Sequence, residues 1–159
     1  MSKYRQRLPK FAKGKVHNME IAIIACDQKK EIMTQFCTAY CGILAKHNLY
    51  ATEITGRYIS EATGLNVERV MAGVQGGTEQ IASRVSCNEI DLVLCFRETA
   101  GVHEPNEQEL NLLRLCDVNN VPFATNIATA EALILAVDQG ALDWRELVNP
   151  RSRLNRNKR

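Results

Sequence analysis

Through the middle of the chain, short unbroken apolar runs alternate with longer amphipathic stretches. EIAIIAC (20–26) is continuously apolar and rich in isoleucine, which predicts a parallel strand buried on both faces. From Gln28 to Lys46 the apolar positions Ile32, Met33, Phe36, Ala39, Tyr40, Ile43 and Leu44 recur on one helical face, with Asp27 in the N-cap position. NLYAT (48–52) predicts a second strand, then a turn at Thr55-Gly56 and a short helix over 57–63 closed by Gly64. VERVMA (67–72) predicts a third strand, GVQGG (73–77) a glycine-rich loop, and 78–87 a helix capped by Thr78 with Ile81, Ala82 and Val85 inward. IDLVLCF (90–96) has the composition of a buried strand. RETAGVHEPN (97–106) is a loop, and 107–119 a helix carrying Leu110, Leu113, Leu115 and Val118. VPFAT (121–125) predicts a fifth strand, 128–138 a helix, and 141–148 a final turn.

Strands alternating with helices at this spacing predict a single-domain α/β fold: a parallel sheet flanked by helices on both faces. Such sheets bind ligands beyond the carboxyl ends of their strands. The loops of interest are therefore 26–30, 52–56, 73–78, 97–106 and 125–128. The 159 residues suffice for one hydrophobic core, and the 45% apolar, 24% charged composition is that of a globular chain. No run of about 18 apolar residues exists, so no membrane partner is expected. The N-terminus lacks the apolar stretch of a secretory signal. Cys26, Cys37, Cys41, Cys87, Cys95 and Cys116 are scattered without a CxxC pair, and no His or second pair completes a zinc site. Reduced, buried thiols and a cytoplasmic location are expected, with no metal.

Charge divides the chain into three parts. Residues 1–15 hold six Lys/Arg and residues 151–159 hold five, with no acid in either, whereas 16–150 is strongly acidic. This suggests a basic arm over 1–18, a domain over 19–148 and a basic tail over 149–159. Nucleic-acid binding is not expected, because the arms lack aromatic interleaving and any nucleic-acid motif. Solvated arms, or arms docked on acidic neighbours in an oligomer, fit the pattern better.

Two of the loops have the composition of anion cradles. Thr52-Glu53-Ile54-Thr55-Gly56 follows a strand and precedes a helix, whose free N–H groups and hydroxyls suit phosphate. Gly73-Val74-Gln75-Gly76-Gly77 permits close backbone approach. With Lys30 between them, the two predict a phosphate site. Cys26, Asp27, Glu79, Glu98, His103 and Glu104 supply further polar groups at that edge. Cys26 is expected to be an inert thiol, with a nucleophile as the alternative.

These stretches resemble the methylglyoxal synthase family over about residues 19–148: IAIIACDQKK, LYATEITG, EATGLNVERVMAGVQGGTEQIA, DLVLCFRE, HEPN, LLRLCDVNNVPFATNIATAE and DWREL. The resemblance implies deprotonation of dihydroxyacetone phosphate to an enediolate, then elimination of inorganic phosphate to give methylglyoxal. It implies no cofactor and a homohexamer. Asp27 and Lys30 match the family's HDxxK motif, with Cys26 in place of its histidine. Thr52 and Thr55 match the phosphate turn ATGTTG, from which Glu53 and Ile54 depart. Gly73 matches the loop SGPxGGDQQ, where Ala72 replaces serine and Val74 replaces proline. The family's base aspartate is Thr78 here, followed by Glu79. Glu98 stands where an aspartate is expected, and His103 matches the histidine of HEPD. The resemblance thus implies that Lys30, Thr52, Thr55 and Gly73 bind phosphate, that Asp27 and His103 orient the site, and that Glu79 or Glu98 replaces the base. A carboxylate at Glu53 would repel phosphate unless Lys30 or a neighbouring subunit's arginine compensates. The substituted base leaves a second reading open, a non-catalytic module binding a phosphorylated ligand on the same fold.

Overall fold

The apolar run Glu20–Ala25 is strand β1, buried along its whole length, and it lies at the centre of the sheet. The computed structural model describes residues 17–100 and 106–158, apart from the side chain of Val74. A turn of 3-10 helix at Asp27–Lys29 leads into α1 (Lys30–Ala39), followed by the one-turn helix α2 (Cys41–Leu44). Then come β2 (Asn48–Thr52), α3 (Glu53–Thr63), β3 (Val67–Val70), a 3-10 turn at Gly73–Gln75 and α4 (Gly77–Ser86). The remaining elements are β4 (Leu92–Phe96), α5 (Glu107–Asn119), β5 (Phe123–Ala124), α6 (Ile127–Asp138), a 3-10 turn at Asp143–Leu147 and α7 (Arg153–Arg156). The strands form one parallel sheet in the order β3-β2-β1-β4-β5. The order reverses between β1 and β4, which opens the crevice at their carboxyl ends.

The period-two alternation of β1 divides the core. Ile21, Ile23 and Ala25 meet Met33 and Phe36 of α1, Ile59 of α3, and Ile134 and Val137 of α6. Ala22 and Ile24 face the other way, with Val93 and Cys95 of β4, onto Ile81, Ala82 and Val85 of α4 and Leu112 and Cys116 of α5. Helices cover both faces, as the alternating pattern requires.

Local departures from the sequence reading have identifiable causes. The stretch 28–46 is not one helix: Tyr40 leaves helical geometry at φ −106°, ψ 21°, and its hydroxyl bonds Glu131 of α6. Asp27 is not a cap but lies within the 3-10 turn, bonded to Lys30. Helix α3 begins at Glu53, not 57, because extended Thr52 takes the N-cap and Glu53 puts a carboxylate in the first turn. Gly56 is tolerated inside α3 because Arg69 packs there; a Cβ would stand 2.7 Å from Arg69 Cγ. Thr78 is not a cap either. Gly76, at φ 100°, holds that position, and Thr78 is buried in the first turn of α4. In α5 the inward positions are Leu112 and Cys116, whereas Leu110 and Val118 are exposed. Cys37, Cys95 and Cys116 are buried, and burial pushes each thiol up to about 12, whereas Cys87 is exposed and Cys26 and Cys41 are half-buried.

Residues 149–158 lie against the amino edge of the sheet. Arg151 donates to the Tyr50 hydroxyl at 3.0 Å, which donates to buried Glu20 at 2.5 Å. The tail therefore meets acidic groups of its own chain. Near that edge, His47 accepts the Met19 N–H at Nδ1, and burial lowers it from 6.5 to about 4. The unfolded chain takes up this proton near pH 6.5 and the folded chain only near 4, so stability falls as pH drops across that interval. A urea midpoint followed from pH 7 to 4 is expected to fall less steeply in His47→Asn than in the native chain.

Candidate functional site

The site is assembled around the last carbonyl of β1. The Ala25 oxygen accepts from Lys30 Nζ at 3.0 Å and from the Thr55 hydroxyl at 3.4 Å. The Thr52 hydroxyl donates to Thr55 Oγ1 at 3.2 Å, and both threonines are buried. Helical geometry explains the convergence. Lys30 opens α1 and its side chain folds back over the carboxyl end of β1, while Thr55 lies in the first turn of α3 beside it. Lys30 also pairs with Asp27 at 2.7 Å; the lysine is 13% exposed and the aspartate 94%. The hydrogen bond and charge of Lys30 hold the Asp27 carboxyl below its ordinary range.

The glycine loop is laced to this cluster by backbone. The Met71 carbonyl accepts the Glu53 N–H at 3.4 Å, and the Ala72 carbonyl accepts from Gln75 and Gly77 at 2.9 and 3.0 Å. Gly77 admits no side chain, since a Cβ would stand 1.9 Å from the Met71 oxygen. Gly73 lies next to Thr78, whose hydroxyl is 3.7 Å from where a Gly73 Cβ would be. Cys26, half-buried, donates its backbone N–H to the Phe96 carbonyl at 3.0 Å and so joins the ends of β1 and β4. The result is one rim: a lysine ammonium, two buried hydroxyls, and the first-turn N–H groups of α3 and α4 that follow the bonded Glu53 and Gly77. Such a set suits a phosphate dianion.

Other residues expected at the site are exposed or have partners of their own. Ile54 is exposed, and Glu53 is turned to Arg69 at 3.3 Å. The cation beside Glu53 therefore comes from β3 of the same chain. Glu79 is exposed, and its carboxylate accepts from Gln108 Nε2 of α5 at 3.3 Å. Glu98 is exposed and accepts the Ala100 N–H at 2.7 Å within its own loop. His103 and Glu104 lie outside the described residues.

Two residues of this edge escaped the sequence reading. Arg69 carries no signal beyond its place in a β3 alternation. Glu109 does carry one, because 109, 112 and 116 share a helical face whose other members are buried in the core. Glu109 is half-buried; burial raises its carboxyl above the ordinary range, and the Arg97 charge opposes the shift. Among the described residues, no three His, Cys, Asp or Glu side chains group to hold a metal ion, and no helix is long and apolar enough to cross a membrane.

A family model described as an MGS-like domain matches residues 33–125. A methylglyoxal synthase of Caldicellulosiruptor saccharolyticus is 56% identical over 140 residues, covering 87% of this chain and 98% of that one. A methylglyoxal synthase of a Thermoanaerobacter species (strain X514) is 52% identical over 131 residues, covering 81% and 98%. The crystal structure of methylglyoxal synthase from Elizabethkingia anophelis superposes with a TM-score of 0.67 at 37% identity, covering 74% of this chain and 77% of that one.

Proposed function

The chain belongs to the methylglyoxal synthase family, and from that membership we propose that it binds dihydroxyacetone phosphate, or a similar small phosphate ester, at the carboxyl edge of β1 and β2. It then releases methylglyoxal and inorganic phosphate, more slowly than an enzyme with an aspartate at position 78. The observation that carries this reading is the meeting of Lys30 and Thr55 on the Ala25 carbonyl beside Thr52. Lys30, Thr52, Thr55 and the backbone at Gly73 hold the phosphate and stabilise it as a leaving group. Asp27 fixes the lysine, and His103 is assigned to the enediolate oxygens. Ala72, Ile54 and Cys26 leave the rim less polar than the family pattern. The slow rate follows from position 78, since a threonine hydroxyl is no base near neutral pH. By the same family reading the protein uses no metal or organic cofactor, forms a homohexamer and works in the cytoplasm.

A second reading, a non-catalytic module for a phosphorylated ligand, is favoured by buried Thr78 together with a Glu79 turned toward α5. A product assay with dihydroxyacetone phosphate separates the two. In either case inorganic phosphate is expected to raise the melting temperature through preferential binding to the folded state. Lys30→Ala is expected to weaken phosphate binding by about 1.5–3 kcal/mol, the range for a hydrogen bond to a charged group. An undiminished thermal shift in Lys30→Ala would remove the site from this crevice.

A further inference from the structure

Helices α4 and α5 cover the same face of the sheet, pack along each other, and both begin at its carboxyl edge. Each presents an inward stripe. In α4 this is Thr78, Ile81, Ala82 and Val85, all buried. In α5 it is Glu109, Leu112 and Cys116, the last two fully buried. Thr78 and Glu109 are therefore the heads of two adjacent stripes, each one turn above the core. Their neighbours in sequence are tied together, since Gln108 donates to Glu79 at 3.3 Å across the gap between the helix starts. Glu79 is exposed, whereas Glu109 is half-buried at the head of its stripe. Among the described residues, Cys95 at the end of β4 and Arg97 just beyond it are the titratable and charged groups that act on Glu109 from the sheet.

We propose that Glu109 is the general base of this chain, a carboxylate supplied by α5 where the family pattern has one on α4. The inference rests on the catalytic reading above. Glu109 takes a proton from the hydroxymethyl carbon of dihydroxyacetone phosphate, and the C–H electron pair becomes the carbon–carbon double bond of the enediolate. The remaining hydroxyl oxygen then forms an aldehyde carbonyl as the ester C–O bond breaks. Phosphate departs with that electron pair and with the hydroxyl proton. The enolate left behind takes the proton from Glu109 onto its terminal carbon, which yields methylglyoxal and restores the carboxylate. Partial burial suits the role, because a carboxyl raised from its ordinary value is a better proton acceptor. A carboxylate in the first turn of a helix would otherwise be stabilised by the helix dipole and made less basic.

The test uses the full chain, with Glu109→Gln and Glu107→Gln compared for methylglyoxal formation and for melting with inorganic phosphate. Glu109→Gln is expected to lower kcat about 100-fold or more, with the phosphate-induced thermal shift preserved. Exposed Glu107, changed to Gln, is expected to leave the rate within about threefold of native, and Glu109→Asp to recover part of the loss with a displaced acid limb in the kcat–pH profile. A Glu109→Gln rate within about threefold of native overturns the assignment. So does a native chain that binds phosphate but forms no methylglyoxal, and this outcome leaves the binding reading standing. A native chain that shows no phosphate-induced shift overturns both.

Discussion

Thr78→Asp is expected to raise methylglyoxal formation by about 10²-fold or more, the size of effect a positioned base supplies. Thr78 heads the inward stripe of α4 with its hydroxyl beside Gly73, whose backbone the proposed function assigns to the phosphate. Aspartate is close to threonine in volume, and the first turn of a helix stabilises its charge. Some stability should be lost, because Thr78 is buried and the new charge must be desolvated, although no cap is lost, since Gly76 rather than Thr78 holds the N-cap position. The gain should persist in the Thr78→Asp/Glu109→Gln double variant, since the new carboxylate acts from a different helix. Assays of the native chain and both variants under identical conditions provide the check. No gain from Thr78→Asp, with the phosphate-induced thermal shift intact, would mean that the cradle is misaligned for chemistry rather than short of a base.

Much of the architecture was legible because it rests on short-range pattern. The unbroken apolar runs at 20–26 and 90–96 can be satisfied only by burial on both faces, and β1 and β4 are the two central neighbours. The helical periodicities of α4 and α6 were equally direct. Helix starts were harder to read. Polar Thr55 and Gly56 look like a turn, yet Thr52 caps α3 three residues earlier, and only the packing of Arg69 onto Gly56 explains why a glycine sits inside it. At the site, composition identified the cradle loops, but the direction of each carboxylate depends on partners distant in sequence. Gln108 turns Glu79, and Arg69 turns Glu53, over separations of 29 and 16 residues. Glu109 could have been found from its spacing to Leu112 and Cys116. Of the apolar positions the sequence offers in α5, Leu115 packs against the core, whereas Leu110 and Val118 are exposed.

Arg145→Met is expected to cost about 3–5 kcal/mol of folding stability, the range for breaking a buried ion pair by removing one partner. Arg145 is fully buried, and every nitrogen of its guanidinium is engaged. Nε donates to Asp91 at 3.0 Å, Nη1 to the Asn119 and Asn120 carbonyls at 3.1 and 3.2 Å, and Nη2 to the Asn88 side chain and the Ile90 carbonyl at 3.2 and 3.1 Å. Asn88 and Asn120 are left-handed, at φ 57° and 54°, where the chain turns away from α4 and α5 toward the next strands. The cation thus closes two helix ends with one planar fork, a geometry that a lysine ammonium does not reproduce. Asp91 is also buried and binds the Glu20 N–H at 2.9 Å and the Asn149 amide at 3.0 Å. Without Arg145 it would be an uncompensated charge at the amino edge of the sheet. Most of the cost should therefore reside in the orphaned carboxylate, so Arg145→Met with Asp91→Leu should lose less than the sum of the single changes. Urea unfolding of the three variants measures this coupling. A loss below about 1 kcal/mol for Arg145→Met would place the residue among ordinary surface substitutions and contradict its role as the clamp. The crevice lies at the opposite edge of the sheet, so variants that still fold should retain the phosphate-induced rise in melting temperature, measured from a lower starting point.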